Sequence, residues 1–207
     1  LPDEQQLTDD ELQAIFEIAN IKGMPVTAHA YTHDIIEKLV GFGIKCIEHG
    51  ALIEEKTAKL MEENDVYLVP TFSAYDQIIF QDEELLNKKP IEFRKKLKQY
   101  ARELKAGRRV IMESDIELGY GTDHVSVYQS YESWREYSSY LKSGMDPFRA
   151  LKAATSVNAK ILNMDDIGII AKGKRADIAA WGQDLLTNSE ALSRCYFVMK
   201  DGRVVSI

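Results

Sequence analysis

Three residues of types that commonly bind metal ions stand at the ends of short apolar runs in this sequence. They are His29, His49 and Asp123. Imidazole nitrogens and carboxylate oxygens suit zinc and similar divalent ions, and a catalytic zinc keeps one position open for water. A single histidine at the end of a strand is more often structural, and an Asp after Gly-Thr can belong to a turn that caps a helix. The order His, His, Asp at three such ends favours a metal site.

The runs that hold these residues belong to a regular alternation of predicted strands and helices. Strand patterns cover residues 25–30, 44–50, 66–72 and 116–123. Helical patterns precede and separate them, over about residues 8–22, 33–40, 54–63 and 82–114. Short strands with intervening helices predict right-handed βαβ units and a parallel sheet. Because barrel enzymes place catalytic groups at the C-terminal ends of their strands, we expect the three candidate ligands to converge on one face.

The last part of the chain has a different pattern. After helical patterns at 129–142 and 147–162, short strands broken by turns are predicted at 167–170, 176–181, 195–199 and 204–205. Asp201-Gly202 is a hairpin signal. A complete eight-stranded α/β barrel takes roughly 250 residues, so the α/β body is half a barrel or a small open sheet. The sequence predicts two parts, an α/β body at 1–163 and a β segment at 164–207.

Composition narrows the class of protein. The 207 residues are 45% hydrophobic and 29% charged, as in a globular protein, and the formal net charge is −7. This charge argues against a general affinity for nucleic acid or anionic membranes, which need clustered cations. Two cysteines, Cys46 and Cys195, are too few for a disulfide framework or a cysteine zinc site. Cys46 is interpreted as a small core residue, and a cytoplasmic location is expected.

Several motifs together resemble one known superfamily. Residues 25–31, 46–50 and 120–123 look like the fifth, sixth and eighth strand motifs of the amidohydrolase superfamily. The chain from 150 to 155, from 167 to 178 and from 197 to 205 resembles that family's last barrel helix, its exit into a small β-sandwich and its closing hairpin. The similarity covers nearly the whole chain. It is strongest to the imidazolonepropionase-like and Xaa-Pro dipeptidase-like branch, which implies the C-terminal half of a TIM-type (β/α)8 barrel with part of a β-sandwich.

The resemblance also implies a chemistry. His29 and His49 would bind one divalent ion, most simply zinc, and Asp123 would bind a second ion. Asp123 would also take a proton from the bridging water and pass it to the leaving nitrogen. A metal-bound water has its pKa lowered towards ~7, and the metal polarises the scissile carbonyl. The expected substrates are small amides, dipeptides or cyclic amides.

Neighbouring residues leave alternatives open. Tyr31 is either a hydrogen-bond donor to the substrate, as the resemblance implies, or a packing tyrosine at the barrel mouth. His124 has a loop role or a substrate contact, and His33 is interpreted as a surface histidine at a helix start. Aromatic residues recur at helical spacing and are interpreted as a packing stripe: Tyr128, Tyr131, Trp134, Tyr137 and Tyr140.

The sequence also departs from the family pattern. It has four histidines and no His-x-His pair, and the family's fourth-strand lysine would precede Leu1. We therefore expect a partial chain that is inactive by itself and exists within a longer chain or a homo-oligomer. Two rivals remain: a deaminase of the same superfamily that uses one ion, and a non-catalytic half-barrel that serves as a binding or assembly module. Metal content and activity would separate the module from the enzymes, and a fourth-strand lysine would favour two ions.

Overall fold

The computed structural model describes residues 4–124 and 131–205. The chain divides into two compact units, Leu1–Leu118 and Gly119–Ile207. Each unit has its own three-stranded sheet, parallel in the first unit and antiparallel in the second. In the described ranges, none of the helices is long and apolar enough to cross a membrane.

Helices and strands alternate through most of the first unit. The strands are β1 (Thr27–Thr32), β2 (Cys46–Leu52) and β3 (Tyr67–Val69). The helices are α1 (Asp9–Lys22), α2 (His33–Gly41), α3 (Glu55–Glu63), α4 (Phe72–Ile79), α5 (Glu83–Asn87) and α6 (Ile91–Glu113). The strand order is β1-β2-β3, and a single parallel bridge joins Leu68 to Leu118. This arrangement confirms the parallel sheet predicted from the alternation of elements.

Local sequence signals explain where α1 begins and ends. The Thr8 side chain accepts a hydrogen bond from the Glu11 backbone, and the Glu11 carboxylate accepts one from the Thr8 backbone N–H at 2.7 Å. This reciprocal capping box satisfies two N-terminal donors that the helix itself leaves unpaired. Gly23 ends the helix in the left-handed conformation, with φ of 63°. The buried side of α1 carries Leu12 and Phe16.

Side chains of β2, β3 and the neighbouring helices are fully buried. Cys46, Ile47 and Leu68 are fully buried in the strands, as are Ile36 of α2 and Met61 of α3. Burial raises the pKa of the Cys46 thiol to about 12, so this thiol stays protonated at neutral pH. The interpretation of Cys46 as a small core residue is confirmed.

The second unit begins with helices and ends with a β meander. Its helices are α7 (Trp134–Lys142), α8 (Pro147–Lys152) and α9 (Asn158–Ile161), with a π-helical turn at Ala153–Val157 and a 3-10 turn at Ser189–Ser193. Its strands are β4 (Ile178–Trp181), β5 (Cys195–Lys200) and β6 (Arg203–Val205), in that order. Asp146 caps α8 by accepting hydrogen bonds from the backbone N–H groups of Phe148 and Arg149. The hairpin predicted at Asp201-Gly202 lies between β5 and β6.

Three sequence predictions need correction. Residues 116–123 form one bridge, at Leu118, rather than a full strand, because the Tyr120 backbone bonds to the Asn158 side chain instead of a strand. Residues 167–170 are not a strand, and Gly168 has a φ of 85° that breaks extended structure. The third strand ends at Val69, because Thr71 adopts a left-handed conformation and α4 begins at Phe72.

The aromatic stripe is only partly a packing stripe. Tyr137 and Tyr140 are fully buried, as expected for residues that pack in a core. The prediction is wrong for Tyr131, which is 85% exposed. Tyr128 lies outside the described residues.

Candidate metal centre

His29 and His49 meet at the C-terminal ends of the first two strands. The Nδ1 atom of His29 lies 2.8 Å from the Nε2 atom of His49, and the ring centroids are 4.9 Å apart. His49 is 1% exposed, whereas His29 is exposed on the outermost strand of the sheet. The structure therefore brings together two of the three predicted ligands, one at the surface and one in the interior.

An irregularity in β2 explains why His49 faces His29. The Cα partner of His29 is Glu48, so in a regular parallel pair His49 would project to the opposite face of the sheet. The register shifts just after this point. Ala30 pairs with His49, but Thr32 pairs with Leu52, so β2 contains one more residue than β1 over this stretch. Such a bulge re-aims a side chain.

The backbone of the bulge has an unusual conformation. His49 has a φ of 79° and Gly50 a φ of 57°. A Cβ atom at Gly50 would lie 2.8 Å from Cδ1 of Leu68, so this position has little room for a larger residue. Non-glycine residues rarely adopt positive φ, and where they do the strain often accompanies a functional site. The His49-Gly50 pair is the local cause of the ring's orientation.

Thr71 supports His49 from the other side of its ring. The Thr71 Oγ1 atom lies 2.8 Å from Nδ1 of His49, and the Thr71 residue is 3% exposed. Both nitrogens of the His49 ring therefore have a polar neighbour at hydrogen-bond distance. Histidines that bind metals usually have their second nitrogen held in this way.

Aromatic rings surround His49. Tyr31 stacks on it, with ring centroids 4.7 Å apart and planes 9° apart, and Tyr75 meets it edge-on at 6.2 Å. This contact agrees with the packing interpretation of Tyr31. The alternative role of Tyr31 in substrate binding stays a prediction.

A cavity of about 440 Å3 lies beside β1. His29 and Tyr31 line it from the strand, and Lys38 and Leu39 line it from α2. Its volume is within the range of pockets that bind small molecules. A small ligand in this cavity would contact the surface-facing member of the histidine pair.

Asp123 and His124 belong to the second unit. Asp123 is exposed and has a φ of 53°, a conformation that aspartate tolerates better than most residues. The His124 backbone N–H donates to Oγ1 of Thr122 at 3.3 Å. The segment before them is held by Asn158, whose side chain bonds to both backbone groups of Tyr120.

His33 is separate from the candidate ligands. It is the first residue of α2, and its Nδ1 atom lies 3.6 Å from Oε1 of Glu54, with both side chains largely exposed. The interpretation of His33 as a surface histidine at a helix start is confirmed.

The histidine pair fits a divalent cation by its donor chemistry. A tetrahedral ion with bonds of about 2.1 Å holds two imidazole nitrogens about 3.4 Å apart, and the exposed His29 ring could open to that separation from 2.8 Å by a small rotation. In the parts of the chain that the structure describes, no cluster of three or more histidine, cysteine or carboxylate side chains is arranged as a complete metal site. Further ligands would complete the coordination of His29 and His49.

Two residues that support the site are not predicted by the sequence. Thr71 follows Pro70 at the end of an apolar run, and Asn158 lies within a predicted helix. No sequence pattern connects either residue to its partner. Thr71 is 22 residues from His49, and Asn158 is 38 residues from Tyr120. The one sequence signal near Thr71 is Pro70, which could indicate a turn there.

The sequence profile of the Amidohydrolase family matches residues 2–205. The chain belongs to the amidohydrolase family, and the resemblance inferred from the strand motifs is confirmed.

Individual relatives support the same branch. Imidazolonepropionase from Anaeromyxobacter dehalogenans is 40% identical over 68 residues, which are 31% of this chain and 16% of that protein. Ochratoxinase from Aspergillus niger is 27% identical over 187 residues, which cover 86% of this chain and 37% of that protein. A crystal structure of a Xaa-Pro dipeptidase with bound methionine in the active site matches with a TM-score of 0.83 at 28% identity, over 98% of this chain and 50% of that one. The chain spans half or less of the length of these relatives, and its fold is α/β of the TIM-barrel-related type.

Proposed function

We propose that this chain forms part of a metal-dependent hydrolase that cleaves C–N bonds in small amides, dipeptides or cyclic amides. The observation that carries the proposal is the His29–His49 pair, with ring nitrogens 2.8 Å apart and the buried member braced by Thr71. A hydrogen-bonded histidine pair alone could be structural. Its position at strand C-termini, beside a cavity and on a strained bulge, supports a ligand role instead.

Each residue has a distinct part in the proposed reaction. His29 and His49 would hold the ion through Nδ1 and Nε2, the two atoms that face each other. A bound divalent ion lowers the pKa of a water towards ~7 and polarises a carbonyl group. Asp123 accepts the proton of the attacking water at a carboxylate oxygen and returns it to the leaving nitrogen. The assignment of Asp123 rests on its motif and on the order of the ligands in the sequence.

Substrate recognition would involve Tyr31 and His124. The Tyr31 ring is anchored by its stacking on His49 and borders the cavity, which supports a contact with a carbonyl or carboxylate of the substrate. His124 follows the proposed catalytic carboxylate directly in the sequence. The similarity to a Xaa-Pro dipeptidase supports dipeptides as the first substrates to test.

The finer structural predictions belong to the same proposal. They are a C-terminal half of a (β/α)8 barrel at residues 1–163, a β-sandwich segment at 164–207, zinc as the ion, a cytoplasmic location, and a homo-oligomer or longer chain as the working form. The parallel order β1-β2-β3 with a bridge to Leu118 supports the barrel half. The antiparallel order β4-β5-β6 supports the sandwich segment.

The direct test is hydrolysis of a panel of dipeptides and N-acyl amino acids by the working form of the protein, the homo-oligomer or longer chain, before and after chelation and zinc restoration. We expect activity that chelation removes and zinc restores. Asp123→Asn should lower kcat by about 10²–10⁴-fold, the usual contribution of general acid–base catalysis. His33→Ala, which changes a surface histidine, is the matched control. Hydrolysis that is insensitive to chelation would refute metal dependence.

The same assay separates the rival functions. A deaminase would release ammonia from a ring or exocyclic amine and leave dipeptides intact. A binding or assembly module would hold no zinc at this site and would turn over no member of the panel.

A further inference from the structure

We propose that Thr71 is a positioning residue that orients the His49 ring and selects its tautomer, so that Nε2 presents its lone pair towards His29 and a bound cation. The inference rests on the proposed function, because it concerns how this chain prepares one of the proposed ligands. It adds a residue from the connection between β3 and α4 to a site otherwise built from β1 and β2.

The hydrogen-bond capacity of imidazole links the Thr71 contact to the tautomer of His49. A neutral histidine has one N–H donor and one lone-pair acceptor, and which nitrogen carries the proton depends on the partners. In His49, Nδ1 lies 2.8 Å from Oγ1 of Thr71, and Nε2 lies 2.8 Å from Nδ1 of His29. A threonine hydroxyl can accept a hydrogen bond from Nδ1–H or donate one to a bare Nδ1, and the first arrangement is the one that a ligand role for Nε2 requires. That choice leaves the lone pair on Nε2, the atom that faces His29.

Thr71 has an unusual backbone conformation. Its φ is 47° and its ψ is 45°, a left-handed conformation that is a strong outlier for a β-branched residue. Backbone preference alone would favour glycine or asparagine at this position. Thr71 is 3% exposed and its Oγ1 atom contacts His49. The hydroxyl contact therefore explains why a threonine occupies a position whose backbone conformation disfavours it.

Neighbouring residues support the turn at Thr71. The backbone oxygen of Thr71 accepts from the Ala74 N–H at 3.1 Å, and the oxygen of Phe72 accepts from the guanidinium of Arg108 at 2.8 Å. Arg108 is itself paired with Asp76 at 2.9 Å. These contacts hold the turn where it enters α4, and a strained conformation persists only where its surroundings fix it. These contacts therefore support the backbone that presents the hydroxyl to His49.

Two matched variants test this role. Thr71→Val keeps the shape and the β-branch but removes the hydroxyl, whereas Thr71→Ser keeps the hydroxyl and loses a methyl group. The first readout is the ¹⁵N chemical shifts of the His49 ring in metal-free protein at about pH 8, where an ordinary imidazole with a pKa of ~6.5 is neutral. The chain has four histidines, and substituting them one at a time assigns each ¹⁵N signal to its ring. The second readout is the Kd for zinc, measured by competition with a chromogenic chelator.

In the wild type we expect the Nδ1–H tautomer of His49. Thr71→Val should shift the ring towards a mixture of tautomers and weaken zinc binding by about 10–100-fold, as for other residues that orient a metal ligand. Thr71→Ser should restore both the tautomer and most of the affinity. If Thr71→Val fails to fold, Thr71→Gly relieves the backbone strain while it also lacks the hydroxyl, and it serves as the second test.

The inference and the proposed function fail in different ways. A wild-type tautomer in Thr71→Val, or a shifted tautomer with unchanged zinc affinity, would overturn the role of Thr71. Absence of zinc binding in the wild-type working form, the homo-oligomer or longer chain, would refute the proposed metal site. In that case a shifted tautomer in Thr71→Val would still support Thr71 as the residue that orients His49.

Discussion

The side-chain amide of Asn158 makes two hydrogen bonds with the backbone of Tyr120. Its Oδ1 atom accepts from the Tyr120 N–H at 2.9 Å, and its Nδ2 group donates to the Tyr120 oxygen at 2.9 Å. These are the two groups that a neighbouring strand would otherwise pair with. Asn158 follows a π-helical turn, an irregularity that is frequent at functional sites. The contact fixes the segment that leads to Asp123.

We predict that Asn158→Ala destabilises the protein by about 1–3 kcal/mol, because two partly buried backbone groups lose their partners. Asn158→Asp keeps the acceptor and loses the donor, so its effect should be intermediate. Urea unfolding monitored by circular dichroism measures both. The exposed Asn20→Ala is the control, and an unfolding midpoint for Asn158→Ala equal to that of the control would contradict the prediction.

Gly107 lies where α6 packs closely against β2. A Cβ atom at this position would lie 2.1 Å from the backbone oxygen of Ala51, and a backbone atom cannot turn away as the end of a flexible side chain can. We predict that Gly107→Ala lowers the free energy of unfolding by about 2 kcal/mol or more, the usual cost of overpacking. Gly41→Ala is the control, since a Cβ there meets nothing within 4 Å and should be neutral or slightly stabilising. Equal unfolding midpoints for the two variants would show that α6 does not pack against β2 as described.

Arg108 and Arg109 are adjacent but differ in their surroundings. The Arg108 side chain is 9% exposed and pairs with Asp76 at 2.9 Å, and its guanidinium lies 4.4 Å from the centre of the Phe72 ring. Arg109 is 66% exposed and lies 3.9 Å from Glu113. Arg108→Met should cost about 3 kcal/mol, because it leaves a partly buried carboxylate without this partner. Arg109→Met should cost less than about 1 kcal/mol. Thermal unfolding of the Arg108→Met and Arg109→Met variants measures the two losses of stability. Equal losses would argue against a buried Arg108.

The elements that could be predicted from sequence are those with strong local signals. The capping box at Thr8 and Glu11 and the Asp146-Pro147 start each determine a helix end through nearby residues. The strand that contains Ile47 and His49 was predicted because a short apolar run lies between glycine-containing turns. Such signals require only neighbours along the chain.

The features that sequence could not reveal depend on distant partners. Alternation along β2 predicts His49 on the face opposite Glu48, and only the bulge reverses this. The strand expected at 116–123 is replaced by contacts of Tyr120 with Asn158, which is 38 residues away. Thr71 has no pattern that links it to His49. The sequence shows the types and the order of the candidate ligands. It does not show the contacts of Thr71 and Asn158 that support the site.

Asp177 gives the β meander a dependence on pH. Hydrogen bonds from the Asp201 backbone and from the Lys200 side chain lower the pKa of the Asp177 carboxyl below its ordinary value of 3.8. Since the pKa is depressed in the folded state, the stabilisation is fully present above pH 3.8 and is lost as the pH falls through the folded-state pKa.

We therefore predict that Asp177→Asn lowers the unfolding midpoint at neutral pH and that the difference from wild type shrinks below about pH 4. Asp165→Asn, which removes one negative charge from the same unit, is the control for a general charge effect. A ¹³C titration of the Asp177 carboxyl group should give a pKa below 3.8. A titration at or above that value would contradict the contacts described for this residue.

We expect His29 and His49 to bind the same cation. Zinc-edge X-ray absorption of the zinc-loaded protein, together with zinc content, tests it most directly, because imidazole ligands give a distinctive scattering signature at Zn–N distances of about 2.0–2.1 Å. The wild type should show at least two imidazole ligands on one ion. His29→Ala and His49→Ala should each lose one imidazole and much of the bound zinc, whereas His33→Ala should match the wild type. Full zinc content with an unchanged imidazole signal in both His29→Ala and His49→Ala would contradict the claim.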